Sequence, residues 1–94
     1  MIVLNVTYKC LPGKNKALVE RIRAEGIDAA CRADEGNIKY DYYLPTDGSE
    51  ELLLIEKWQD ARTLQAHGAQ PHLKRLMAFK PEYATETIVE RFEV

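Results

Sequence analysis

The chain has 94 residues, 46% of them hydrophobic and 30% charged, a globular balance that argues against disorder and suffices for one core and one domain spanning residues 1–94. The formal net charge of −2 offers no electrostatic attraction for nucleic acid or an anionic membrane. No run approaches the ~20 apolar residues that span a bilayer, and the opening Met1-Ile2-Val3-Leu4-Asn5 lacks the basic start of a signal peptide, so a cytoplasmic protein without a membrane partner is expected.

Met1 to Lys9 is rich in Ile, Val, Leu, Thr and Tyr and reads as a strand. Asn5 interrupts it, and an unpaired amide in a central strand would cost about 1–3 kcal/mol, so Asn5 requires a structural partner or a ligand oxygen. After Pro12-Gly13 the pattern turns helical, with Leu18, Ile22 and Ala29 towards one face and Lys16, Glu20, Arg21 and Glu25 outside. Gly26 weakens this helix without forbidding it. Cys10 and Cys31 have no CxxC spacing and form no evident cluster with His67 and His72, so reduced thiols and no metal are expected.

Asp34-Glu35-Gly36-Asn37 is a turn cluster, after which Ile38, Tyr40 and Tyr42 alternate with Lys39, Asp41 and Tyr43 as a second strand. The loop from Pro45 to Ser49 returns the chain antiparallel into a third strand, Leu52 to Trp58. Asp60 is a good N-cap for a short helix carrying Leu64 and His67, with Gly68 at its C′ position. Pro71 opens another helix at N1, with Leu73, Leu76 and Met77 spaced for burial, and Pro81 stops it. Tyr83 to Val94 forms a last strand, with Ile88, Phe92 and Val94 on one face and Val89 on the other.

The order strand, helix, strand, strand, helix, strand predicts an α+β protein of ferredoxin-like β-α-β-β-α-β topology with an antiparallel sheet and helices on one face. Yet Leu52 to Ile55 is continuously apolar, as in strands covered on both sides. Leaving a few hundred Å² of apolar sheet exposed forgoes several kcal/mol at about 25 cal/mol per Å². A homodimer through the sheet face is therefore expected.

Pro12-Gly13, the stretch Glu35 to Asp41, Ile55-Glu56-Lys57-Trp58-Gln59-Asp60, Leu64, Ala66-His67 and Pro71-His72-Leu73 together resemble the antibiotic biosynthesis monooxygenase-like family. The likeness covers nearly the whole chain, and its most specific part is Glu-x-Trp-x-Asp followed by Leu-x-x-His and Pro-His. It implies a dimeric α/β barrel, and oxygenases that use neither metal nor flavin and act on aromatic quinols or polyketide anthrones. The partners implied are a small aromatic molecule and dioxygen, with no cofactor. Relatives also include haem-degrading enzymes and an isomerase-type branch, so a haem-binding protein and a non-enzymatic, ligand-binding or stress-response dimer stand as alternatives.

Such chemistry needs a base in a dry pocket and a partner for the resulting oxyanion. His67 is the candidate base, since imidazole's ordinary pKa of about 6.5 lies near neutrality; His72 is a second candidate. A helix-end bond to a backbone carbonyl is the structural alternative for His67. Trp58 shares a strand face with Glu56 and Leu54, and is expected to wall the pocket and offer its indole N–H to a substrate oxygen, or else to be core. Asn5 is a candidate to hold a ligand oxygen. Glu56, if buried, demands a partner, and a salt bridge to Lys or Arg across the dimer is expected. Tyr40 and Tyr42 line either the pocket or the subunit interface.

Overall fold

Four apolar residues at period two, Ile2, Leu4, Val6 and Tyr8, give strand β1 (Ile2–Cys10) one fully buried face in the computed structural model, which describes residues Met1 to Val94. The other face carries Val3, Asn5 and Thr7, all half-buried. β1 runs antiparallel between β3 (Glu51–Trp58) and β4 (Ala84–Glu93), and β3 pairs with β2 (Asn37–Tyr43), giving the order β2-β3-β1-β4. This is the ferredoxin-like α+β arrangement that the element order predicts. Helices α1 (Lys14–Ala24), α2 (Ile27–Arg32) and α4 (Pro71–Phe79) supply Leu18, Ile22, Ile27, Cys31, Leu76 and Phe79 to a core shared with the sheet, and α3 (Ala61–Gly68) packs the partly buried Leu64 against it. No helix is long and apolar enough to cross a membrane.

The single helix expected from Lys14 is broken. Gly26 adopts φ +71°, which a residue with a side chain rarely tolerates, and α2 starts afresh beyond it. The break resets the helical phase, so Ile27 and Cys31 are buried and Ala29, expected inside, is exposed. In β2 the expected alternation fails at its first residue. Asn37 faces Trp58 and Lys39 faces Lys57, so Ile38 is the extra residue of a bulge and remains 57% exposed. The Asn37 side chain clamps the bulge by donating to the Lys39 carbonyl at 3.0 Å.

Two local devices set the helices that follow. Asp60 and Thr63 form a reciprocal capping box at the start of α3, with the Thr63 N–H donating to Asp60 Oδ1 at 2.9 Å. These bonds hold the Asp60 carboxyl below its ordinary value. Gly36, with φ +80°, lies so close to Thr63 that a Cβ there would stand 2.5 Å from its side chain. The turn before β2 is thereby docked directly onto α3. Gly68 is not the expected C′ residue: it is the last residue of α3, with Ala69 as C-cap and no positive φ at either. Pro71 does open α4, after Gln70 in an extended conformation. In α4, Leu76 is buried and Leu73 half-buried, but Met77 is exposed.

The sheet face away from the helices is uncovered in the isolated chain. Cross-strand register places Val3, Leu53, Ile55, Ile88 and Phe92 there, with Lys9 and Glu51 paired beside them. Ile88 and Phe92 fall on that side as expected, and Val89, opposite Val6, on the helix side.

Candidate active site

Between the sheet and α3/α4 lies a cavity of about 330 Å³. Leu4, Val6 and Tyr8 of β1 form its floor, Leu64 and Leu73 its roof, and the exposed Met77 and Val89 with the half-buried Thr87 its mouth. Its polar wall is made by Tyr40, Glu56, His67 and Lys80.

His67, only 4% exposed, is at the centre of that wall. Its Nδ1 stands 2.6 Å from Asp34 Oδ2, and its Nε2 stands 3.9 Å from Glu56 Oε1. The ring leans on Trp58, with centroids 4.5 Å apart, and meets Tyr40 edge-on at 5.6 Å. His67 therefore bonds a carboxylate and not the backbone carbonyl of its structural alternative. A carboxylate only accepts, so the neutral ring bonded to it carries its proton on Nδ1 and turns a lone pair outward at Nε2. The same Asp34 oxygen takes His72 Nε2 at 2.9 Å. His72 thus sits behind the wall and does not line the cavity.

Glu56 is buried on the helix side of β3, where no partner approaching the open sheet face could reach it. The expected salt bridge across a dimer is replaced by a bond within the chain, the Trp58 indole N–H donating to Glu56 Oε1 at 2.9 Å. Two residues apart on one strand, the pair share a face and meet by geometry alone. Burial raises the Glu56 carboxyl above its ordinary 4.5, against the opposing pull of the Trp58 bond and the nearby His67. The indole proton is thereby spent. Trp58, fully buried and outside the cavity lining, neither walls the pocket nor has a donor left for a substrate.

Tyr40 lines the cavity, and burial pushes its phenol far above the ordinary range, so it stays protonated. Tyr42 lies on the same helix-facing side of β2, opposite Leu54 and edge-on to Tyr40 at 5.9 Å, and does not line the cavity. It belongs to the core side of the sheet and not to the open face. Asn5 does not point into the cavity. Its neighbours Leu4 and Val6 do, so by strand alternation Asn5 lies on the opposite face, between Ile55 and Glu90.

Three residues outside the sequence-derived site candidates also belong to the site. Asp34, which reads as a turn residue, is the carboxylate that holds both histidines. Lys80 lines the cavity, donating to Thr87 Oγ1 at 2.9 Å with its Nζ 5.6 Å from the Tyr8 ring centroid. Cys31 is fully buried beside Asp34, and burial pushes its thiol up to about 12. Contrary to the expectation that no cysteine clusters with the histidines, donor atoms of Cys31, Asp34, His67 and His72 all lie within 4.8 Å of one another. The available signal is the pairing of a Cys-x-x-Asp turn with a His-x₄-His segment.

Fold and site together define an α+β protein with a cavity between sheet and helices, walled by a histidine set between two carboxylates. The family model "Antibiotic biosynthesis monooxygenase" matches residues 1–78, and the chain belongs to that family. It is similar to "Putative monooxygenase YcnE" of Bacillus subtilis strain 168, with 28% identity over 78 residues that cover 83% of this chain and 80% of the relative. Among solved structures it resembles Rv0793 from Mycobacterium tuberculosis, with a TM-score of 0.86, 26% identity and coverage of 99% of this chain and 93% of that one. A Nitrosomonas europaea protein described as "Putative antibiotic biosynthesis monooxygenase" has a TM-score of 0.90 at 18% identity, covering 100% of this chain and 98% of that one. At that identity the likeness is one of fold.

Proposed function

We propose that the protein is a cofactor-independent monooxygenase that removes a proton from a small aromatic substrate of quinol or anthrone type, so that the anion reacts with dioxygen. One observation carries this reading: His67, which lines the apolar cavity, is fixed through Nδ1 by Asp34 at 2.6 Å, which leaves Nε2 beside Glu56 in the cavity wall as the basic nitrogen. In such an arrangement Nε2 takes the substrate proton, and Asp34 stabilises the imidazolium that results. Glu56, beside Nε2, adds to that stabilisation when ionised. The Lys80 ammonium at the cavity wall is the natural partner for the substrate oxyanion, a role that the sequence suggests for Asn5 and Trp58 and that their positions do not support. For an anthrone the balance is simple: the ring CH₂ becomes a carbonyl, and dioxygen supplies that oxygen and the oxygen of one water.

The test is oxygen uptake by purified protein across a panel of quinols and anthrones. His67→Ala should lower kcat by about 10²–10⁴-fold, the usual contribution of a positioned base, and Asp34→Asn should cost a large part of that by releasing the wrong tautomer. Uptake by the wild type no faster than by His67→Ala on every compound would refute the reading. A haem-binding function has less support, because His72 does not line the cavity and the one histidine that does, His67, stands between Asp34 and Glu56.

We further propose that two copies pair through the open sheet face. Val3, Leu53, Ile55, Ile88 and Phe92 form its apolar patch, and Phe92 is 46% exposed in the single chain. Pairing would bury these residues and Asn5 with them.

A further inference from the structure

We propose that Cys31, Asp34, His67 and His72 form a four-ligand site for a zinc-class ion, directly behind the wall of the cavity. The four residues come from two places in the chain: Cys31 and Asp34 are one helical turn apart at the end of α2, and His67 and His72 flank the break between α3 and α4. The spacing, Cys-x₂-Asp followed by His-x₄-His, has the form of closed tetrahedral zinc sites, in which one close pair of ligands is met by a His-x₃₋₅-His pair. One donor atom from each residue lies within 4.8 Å of all the others.

In a tetrahedral zinc site the bonds are about 2.0–2.3 Å long, so ligand atoms stand about 3.3–3.8 Å apart. The cluster needs only rotamer-scale adjustment to reach this geometry, opening the Asp34–His67 contact of 2.6 Å and closing the longer separations. Charge also fits. One thiolate and one carboxylate balance a divalent cation, leaving a neutral centre in a buried place. Glu56, facing His67 from the opposite ring nitrogen at 3.9 Å, is placed as the outer carboxylate that orients metal-bound histidines.

The consequence for the cavity rests on the proposed role of His67 as base. A metal bonded at Nδ1 leaves the neutral ring with its proton on Nε2, the atom that must be bare to act. The occupied site is therefore an off state, and the hydrogen-bonded Asp34–His67 pair is the on state. The metal is an inhibitor in this scheme and takes no part in the reaction with dioxygen.

Metal binding can be read without any activity. Metal-stripped, tag-free protein titrated with Co²⁺ should take up one ion per chain and develop an intense thiolate-to-cobalt charge-transfer band together with tetrahedral d–d bands. Cys31→Ser should lose the charge-transfer band. His72→Ala, at a side chain already partly exposed, should weaken binding at least 10-fold, with circular dichroism confirming that both variants fold. Absence of the band in the wild type, or equal binding by wild type and the His72→Ala variant, would overturn the site. Zn²⁺ should then suppress oxygen uptake and a chelator restore it; zinc bound at the site with uptake unaffected would overturn the off state. If the band appears and no quinol is oxidised, the metal site stands while the monooxygenase reading falls; oxygen uptake without the band removes the metal site and leaves the monooxygenase reading standing.

Discussion

At the scale of single residues, the site turns on how one histidine is held from both sides. Asp34 lies at one ring nitrogen and Glu56 at the other, and the two carboxyls differ in their surroundings: Asp34 faces two histidines, whereas Glu56 is buried against an indole N–H. Burial raises the Glu56 pKa, so the folded state binds this proton more tightly than the unfolded chain does. Its contribution to stability is full below the ordinary 4.5 and is lost as pH rises from there through the raised folded value. Glu56→Gln, which still accepts from Trp58, should therefore gain in Tm relative to the wild type as pH rises from 4.5 to 8 in paired thermal melts. A difference in Tm that stays constant across that range would show that Glu56 does not bury its charge.

Residue parity explains much of what can and cannot be read from the sequence. His67 is legible because the Leu-x-x-His and Pro-His pattern marks it, and Glu56 because a carboxylate on a buried strand face demands a partner. Asn5 is easily misplaced although the means to place it are present: Ile2, Leu4, Val6 and Tyr8 are the buried parity of β1, and Asn5 is of the other. Trp58 is likewise legible by parity: Glu56, two residues back on the same strand face, is the acceptor that takes its indole proton. Asp34 is easily passed over, since a turn aspartate has a sufficient local explanation, its contact with His67 spans 33 positions and only the Cys-x-x-Asp and His-x₄-His spacings taken together point to it.

At the scale of elements, the contact between the turn before β2 and helix α3 decides whether the site assembles. Asp34 rides on that turn and His67 on that helix, and Gly36 against Thr63 sets their separation. Gly36→Ala combines a disfavoured positive φ with a Cβ 2.5 Å from Thr63, so it should cost about 2–4 kcal/mol, a fall in Tm of about 10 °C or more. Activity should fall further than stability alone explains, because Asp34 moves with the turn; a variant with unchanged Tm would contradict the close approach. The strands and capped helices are readable because period-two patterns, Asp60 and Pro71 act locally. The break at Gly26 and the bulge at Ile38 are not, because a glycine permits a positive φ without requiring it and an alternating run does not reveal where its register slips.

At the scale of the whole molecule, the open sheet face is the largest unbalanced feature. Leu52 and Leu54 are buried beneath the helices while Leu53 and Ile55 look the other way, which is why the run reads as continuously apolar. Ile55→Glu places a charge at the centre of that face and should raise the dimer dissociation constant by about 100-fold or more. Light scattering at micromolar concentration should report a dimer for the wild type and a folded monomer for the variant. A wild-type monomer at that concentration would remove the case for pairing.

The protonation of His67 itself offers the most direct test. In metal-free protein labelled with ¹⁵N-histidine, NMR should find the neutral His67 ring protonated at Nδ1 and bare at Nε2, with Nε2 gaining a proton when an acidic phenol enters the cavity. A neutral ring protonated at Nε2, or one indifferent to the phenol, would contradict the central claim that Asp34 holds a base towards the cavity.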